Sequence, residues 1–205
     1  MIAGLLHRRY FLASSGAMLV AVPRVGDADS AAVAPIRQLV QGLLRVMKAG
    51  RGTPFSVRAE MLGPVIDQTF DLATILKTSV GFGWDTLSAD QQASLSAAFR
   101  RYTVASYVNA FDQNDEHFEV NPDTRVSGSD QVVRMRIVHD SGEQDELDHV
   151  MRQGPKGWRV VDILADGVIS RVAVQRSDFR QVLSRGGASA LAQSLESKST
   201  DLSTG

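Results

Sequence analysis

Three histidines lie beyond the N-terminal segment, His117, His139 and His149, and they are the first side chains to test for chemistry. Imidazole titrates near neutral pH and is a common metal ligand. A hairpin centred near Gln144 would bring His139 and His149 together across two strands, as a metal pair or an acid–base pair. Their spacing matches no metal motif and no third ligand is evident. Polar residues on a hairpin, with one histidine tucked against the sheet, account for them more simply. Asp162 and Asp166 are the remaining candidates. A buried aspartate can act as a general base. No second catalytic partner stands at a defined offset, so a carboxylate that caps the following helix, or pairs with an arginine such as Arg176, is the simpler expectation.

Other chemistries fall away by residue type. The chain has no cysteine, which removes disulfides, thiolate metal sites and cysteine nucleophiles. It has no phosphate-cradling glycine loop, no nucleophile elbow and no two-histidine zinc helix. Gly81-Phe82-Gly83-Trp84 follows a helical pattern rather than a strand, so it reads as a helix stop and not a dinucleotide fingerprint. No cofactor and no metal are expected. The net charge is -1 and the basic residues are interspersed with acids, which argues against nucleic acid as a partner. The charged residues on the strands are expected to form a solvated face.

The chain of 205 residues is 43% hydrophobic, enough for a core with volume to spare for a pocket. Arg8 and Arg9 precede a short apolar run from Tyr10 to Val22, the layout of an export signal. Arg8-Arg9-Tyr10-Phe11-Leu12 resembles a twin-arginine motif, and an ordinary secretory signal fits as well. Small residues at Ala28, Ser30 and Ala32 place cleavage near Ser30 to Ala32, so residues 1–31 are expected to be an export signal and 32–205 a single domain.

The mature chain must supply the elements that position any site. Ile36, Leu39, Val40, Leu43, Leu44 and Met47 predict a helix over 34–49, stopped at Gly50. Thr53-Pro54 predicts the start of a second helix, broken or kinked at Gly63-Pro64. Asp71 caps a third, which ends at Gly81. Ser88-Ala89-Asp90-Gln91 is a capping box that opens a long helix to Phe111. That helix is aromatic over a broad arc, as expected of one that is core to two neighbours or lines a cavity. The period then changes to two. Strands are predicted at His117–Val120 (stopped by Asn121-Pro122, with another starting at Arg125), at Val133–Ile137, at Leu147–Arg152, and at Trp158–Leu164. Leu147, His149 and Met151 share a face opposite Asp148 and Arg152. A helix from Val168 to Leu183 ends at Gly186-Gly187, and a weak terminal helix, 188–197, precedes a frayed tail. The order predicts an α+β fold, with helices on one face of a curved antiparallel sheet of about four strands, enclosing a cone-shaped apolar pocket.

Two blocks carry a resemblance. Phe70-Asp71-Leu72, Gly81, Trp84, Leu87 to Gln92, Phe99 and Tyr107 form the first. Gly157-Trp158-Arg159-Val160-Val161-Asp162-Ile163-Leu164-Ala165-Asp166-Gly167-Val168, followed by Gln175-Arg176-Ser177-Asp178-Phe179, forms the second. In order and spacing the chain resembles the MlaC or toluene-tolerance family of periplasmic lipid-binding proteins. Met47 to Arg51, Thr103 to Tyr107 and Ile169 to Phe179 are closest to its hopanoid-associated HpnM branch. Gln175, where phospholipid carriers usually have tyrosine, and Ile169-Ser170 depart from those members.

The resemblance implies a non-enzymatic, periplasmic carrier. It would hold a phospholipid or hopanoid in its pocket and meet an inner-membrane lipid transporter and an outer-membrane complex transiently, most simply as a monomer. The residues expected to line that pocket are Leu76, Val80, Phe99, Tyr102, Val104, Tyr107, Val108 and Phe111 from the helices. From the sheet they are Phe118, Val133, Met135, Ile137, Leu147, His149, Met151, Trp158 and Val160. The same residue types would also serve as plain core. The alternative is an enzyme of the same shape acting on a hydrophobic substrate, with Asp162 or His149 as acid or base.

Overall fold

A computed structural model describes residues 30–111 and 116–204. Four helices come first: α1 (Val33–Ala49), α2 (Phe55–Thr69), α3 (Leu72–Val80) and, after a 3-10 turn at Gly81–Thr86, α4 (Ala89–Ala110). Five strands follow: β1 (Glu116–Ser127), β2 (Asp130–His139), β3 (Gln144–Gly154), β4 (Gly157–Ala165) and β5 (Ile169–Ser170). The last helical element, α5, spans Arg171–Thr204 and is two helices joined at Gly187, which is not helical. The strands form one antiparallel sheet in chain order, a meander of tight turns. This is the expected α+β layout. The fifth strand, two residues long, was hidden inside the pattern read as the start of the last helix.

The signals at helix ends act as the sequence implies. Asp71 accepts from Thr74 N at 3.0 Å and caps α3. Ser88 and Gln91 form a complete capping box on α4. Gly42 has no Cβ to collide with Val65, which lets α2 lie close against α1. Phe99, Leu95, Val104 and Val108 of α4 are buried, and α4 packs against α5, α2 and α3, as a broad apolar arc requires.

Four local expectations need correction. Pro64 does not break α2, which runs unbroken through it. Pro64 is exposed, so the carbonyl it leaves without a partner can turn to water. Thr53 does not cap α2; its hydroxyl donates instead to Ala49 O at 2.8 Å. Asn121-Pro122 does not end β1. The register to β2 slips between Val120 and Thr124 and then resumes, so the proline sits in a bulge on an edge strand, where a missing N–H costs no ladder bond. Beyond Gly187, at φ 64°, the chain is neither weak nor frayed. It continues helical to Thr204 because Ala188, Leu191, Ala192 and Leu195 are buried and Arg101 of α4 pairs with Glu196.

Ser30 and Ala32, expected beside the cleavage point, belong to the folded domain. Ser30 Oγ donates to Gln131 Oε1 at 2.6 Å, and Ala32 has no exposed surface. The expected export signal lies otherwise outside the described residues. No described helix is long and apolar enough to cross a membrane.

Candidate functional site

A cavity of about 340 Å³ lies between the helices and the sheet. This is within the ~300–1,000 Å³ typical of small-molecule sites. Phe70, Leu72 and Ile75 wall it from the α2–α3 side, and Phe99, Tyr102, Thr103, Ser106, Tyr107, Ala110 and Phe111 from α4 and its end. Met135, Leu147, Ile163 and Ala165 form the sheet side, with Asp162 among them, and Arg171, Val172 and Gln175 come from α5. The wall is mostly apolar and strongly aromatic. Phe70, Tyr107, Phe111 and Phe118 make a chain of ring contacts, with centroids 5.5, 6.1 and 5.5 Å apart.

Of the residues expected to line a pocket, Phe99, Tyr102, Tyr107, Phe111, Met135 and Leu147 do so. Leu76, Val104, Val108, Val133, Ile137, His149, Met151 and Val160 are buried but are not among the lining residues; they pack core around the cavity. Val80, Phe118 and Trp158 are half-buried against that core. The split follows from geometry. On a helix or strand, periodicity marks which face is inward, but the inward face serves both the packed and the hollow part of the interior. Thr103, Ser106 and Gln175 also line the cavity and were not among the expected residues. Thr103 and Ser106 satisfy their hydroxyls within α4, on Phe99 O and Tyr102 O, and so present mainly carbon to the cavity. Their position on the stripe between Phe99 and Tyr107 was the available signal.

The candidates for chemistry are dispersed. His139 and His149 are not brought together. The turn at Asp140–Glu143 sets a register in which His149 lies opposite Val133 and Ile163. His139 instead meets Asp145 at 3.0 Å and Glu116 at 3.6 Å. His149 is fully buried, neither ring nitrogen has a hydrogen-bond partner, and burial pushes its pKa down to about 4, against the weaker pull of the Val133 and Leu147 carbonyls and Asp148. Burial likewise raises the Tyr107 phenol above its ordinary range, with Arg171 opposing. Among the described residues no cluster of acids and histidines could hold a metal ion.

Asp162 does line the cavity, but its carboxylate is engaged. Oδ1 accepts from Ile163 N at 2.8 Å and from Val172 N at 3.1 Å, and Oδ2 accepts from Ser170 Oγ at 2.5 Å. It ties β4 to the start of α5, as the capping expectation had it. Arg176 is not its partner; the guanidinium lies 5.7 Å over the ring of Phe82. The strand charges are not all solvated either. Asp148 is 1% exposed beneath Arg134, which grips it at 2.8 and 3.1 Å, and Arg125, at 3.1 Å. These contacts hold its carboxyl below the usual carboxylate range, Arg134 foremost.

The site is thus a mostly apolar chamber between the sheet and its helical cover. A family model described as MlaC protein matches residues 37–197. The chain belongs to the MlaC family. That match includes every residue that lines the cavity. Among solved structures, the MlaC-family chain is similar to a phospholipid-binding protein from Ralstonia solanacearum, solved in complex with a phospholipid. The two share 24% identity over 84% of this chain and 99% of that one, with a TM-score of 0.71. This is a likeness of fold. Comparison with curated proteins finds no match.

Proposed function

We propose that the protein is a lipid carrier of the bacterial envelope, exported by its N-terminal segment and moving one lipid at a time through the periplasm between the inner and outer membranes. The cavity carries this reading: it is mostly apolar, walled by rings from α4, and framed by the one sheet and its helical cover. An acyl chain left in water costs ~0.8 kcal/mol per CH₂, so a soluble carrier must hide most of it, and a wall of aromatic and aliphatic side chains does so without fixing one chain shape. Phe99, Tyr102, Tyr107, Phe111, Met135 and Leu147, with Phe70 and Ile163, are the residues that would touch the apolar part. Arg171, the cation among the lining residues, would meet the polar end.

The Ralstonia neighbour supports a phospholipid as cargo. The segments that resemble the HpnM branch, with Gln175 in place of the usual tyrosine, favour a hopanoid-type lipid. An inner-membrane transporter and an outer-membrane complex would load and unload a monomeric shuttle. The enzyme alternative has one observation in its favour, Asp162 in the cavity wall. The hydrogen bonds that Asp162 accepts from β4 and α5 assign that carboxylate to structure and leave the carrier reading preferred.

Native mass spectrometry with lipid extraction, on protein purified from the periplasm without detergent, tests the proposal. A stoichiometric phospholipid or hopanoid is expected. Protein that is empty as isolated, and stays empty after incubation with vesicles of either lipid, would overturn it.

A further inference from the structure

A second cavity, of about 520 Å³, lies at the β3–β4 turn, and its chemistry is unlike that of the first. Arg152 and Arg159 stand directly opposite each other on β3 and β4. Like charges so placed repel unless something neutralises them. Arg152 is neutralised: Asp130 accepts from it at 2.9 and 2.6 Å. Arg159 is not. Its Nε is buried with no hydrogen-bond partner, and among the described residues it has no ion pair. Lys156, in the turn between the two strands, likewise has none, and it lines the same cavity.

The other charges there can be accounted for one by one. Arg100 is held by Asp67 at 2.8 and 2.7 Å. Asp71 accepts from Thr74 N and Oγ1 at 3.0 and 2.7 Å, and it lies within electrostatic reach of Arg152. With Arg100–Asp67 and Arg152–Asp130 cancelled, Lys156 and Arg159 face a single carboxylate, Asp71. One positive charge remains.

We infer that this cavity binds a phosphate-type monoanion, with the unpaired guanidinium of Arg159 donating to its oxygens and Lys156 supplying charge from the turn. Charge-assisted bonds from guanidinium to phosphate are among the strong ones. Phe70 and Leu72 line both cavities, so the anion sits one side chain away from the apolar chamber. The oxygens could belong to a lipid phosphodiester or to free phosphate. The site stands whether or not the first cavity holds lipid.

The test is a pair of NMR titrations of the delipidated protein at constant ionic strength, one with dimethyl phosphate and one with inorganic phosphate. The readouts are the Gly154 and Gly157 amides and the Arg159 Nε–H. Saturable shifts at these positions are expected, with affinity reduced about ten-fold in Arg159→Gln and several-fold in Lys156→Gln. Lys48→Gln, on the exposed side of α1, should bind as the parent does. Tighter binding of dimethyl phosphate points to a lipid headgroup as the natural source, and tighter binding of inorganic phosphate to the free ion; both bear the site out. No saturable shift with either probe, or equal affinity in the folded Arg159→Gln and Lys156→Gln variants, would overturn it.

Discussion

His149 is the residue whose sequence signal and structural position differ most. A histidine on the strand Leu147–Arg152 reads as a candidate acid, base or ligand. The structure instead places it in the dry interior, opposite two aliphatic residues, with both nitrogens unpartnered. Its pKa, lowered from 6.5 to about 4, makes a definite prediction about acid. The neutral ring is the one the fold accepts. The stability it permits is therefore complete above pH 6.5 and is lost as pH falls from 6.5 toward 4, by about 3 kcal/mol in all. Asp148 and Asp130 also have lowered pKa values, so their contributions are lost only as pH falls below the ordinary carboxylate value of 3.8. The His149 contribution therefore falls in the window between. Urea unfolding of the parent and of His149→Leu across that window checks this. The variant should be at least as stable near neutrality and should lose much less on acidification; parallel losses in the two proteins would refute the assignment.

At the scale of elements, the start of α5 depends on a residue from another element. Val172 N is capped by Asp162 of β4, and Ala173 N by Ser170. Asp162→Ala should therefore lower stability by about 1–2 kcal/mol, the ordinary cost of losing a helix cap, measured by urea unfolding. Three helix boundaries were readable because their causes are local: Asp71, Ser88 with Gln91, and Gly81 each act within one turn, whereas Thr53 turns back to α1 and leaves α2 uncapped. β1 was misread as two pieces because Pro122 is a strong local breaker, and only its place at the edge of the sheet makes it harmless. β5 escaped notice because two residues carry no period at all. The cavity was about one-third legible for a related reason. Spacing on α4 put Phe99, Tyr102, Tyr107 and Phe111 inward, yet whether an inward residue meets a neighbour or a void depends on how far α3 and α5 stand from the sheet. The pairing of Arg152 with Arg159 was out of reach, since it needs the register across the β3–β4 turn.

For the whole molecule, binding and stability should be linked through the chamber. A ligand held only by the folded state raises the unfolding temperature by mass action, so lipid-loaded protein should melt above delipidated protein. Ser106→Phe is designed to separate the two effects. Ser106 lines the cavity and its hydroxyl bonds only within α4, so a phenyl ring at that position would occupy the space a lipid would use. The variant is expected to remain folded by circular dichroism, to carry less than half the parent's lipid by extraction, and to lose the melting shift on loading. A folded variant with full lipid content would place the cargo elsewhere.

The irregularity in β1 has a consequence for how the protein behaves in a crowd. Strand β1 is the first in the sheet, and among the described residues β2 is its one strand partner, so its far side is a row of peptide groups that another molecule could continue. Pro122 removes a donor from that strand, and the slipped register around Asn121–Asp123, where Asn121 Oδ1 accepts from Asp123 N at 2.9 Å, bends it out of the straight line a docking strand would need. An outermost strand interrupted in this way offers a neighbouring copy only short straight runs to pair with, one of the devices that blunt a sheet edge as a template.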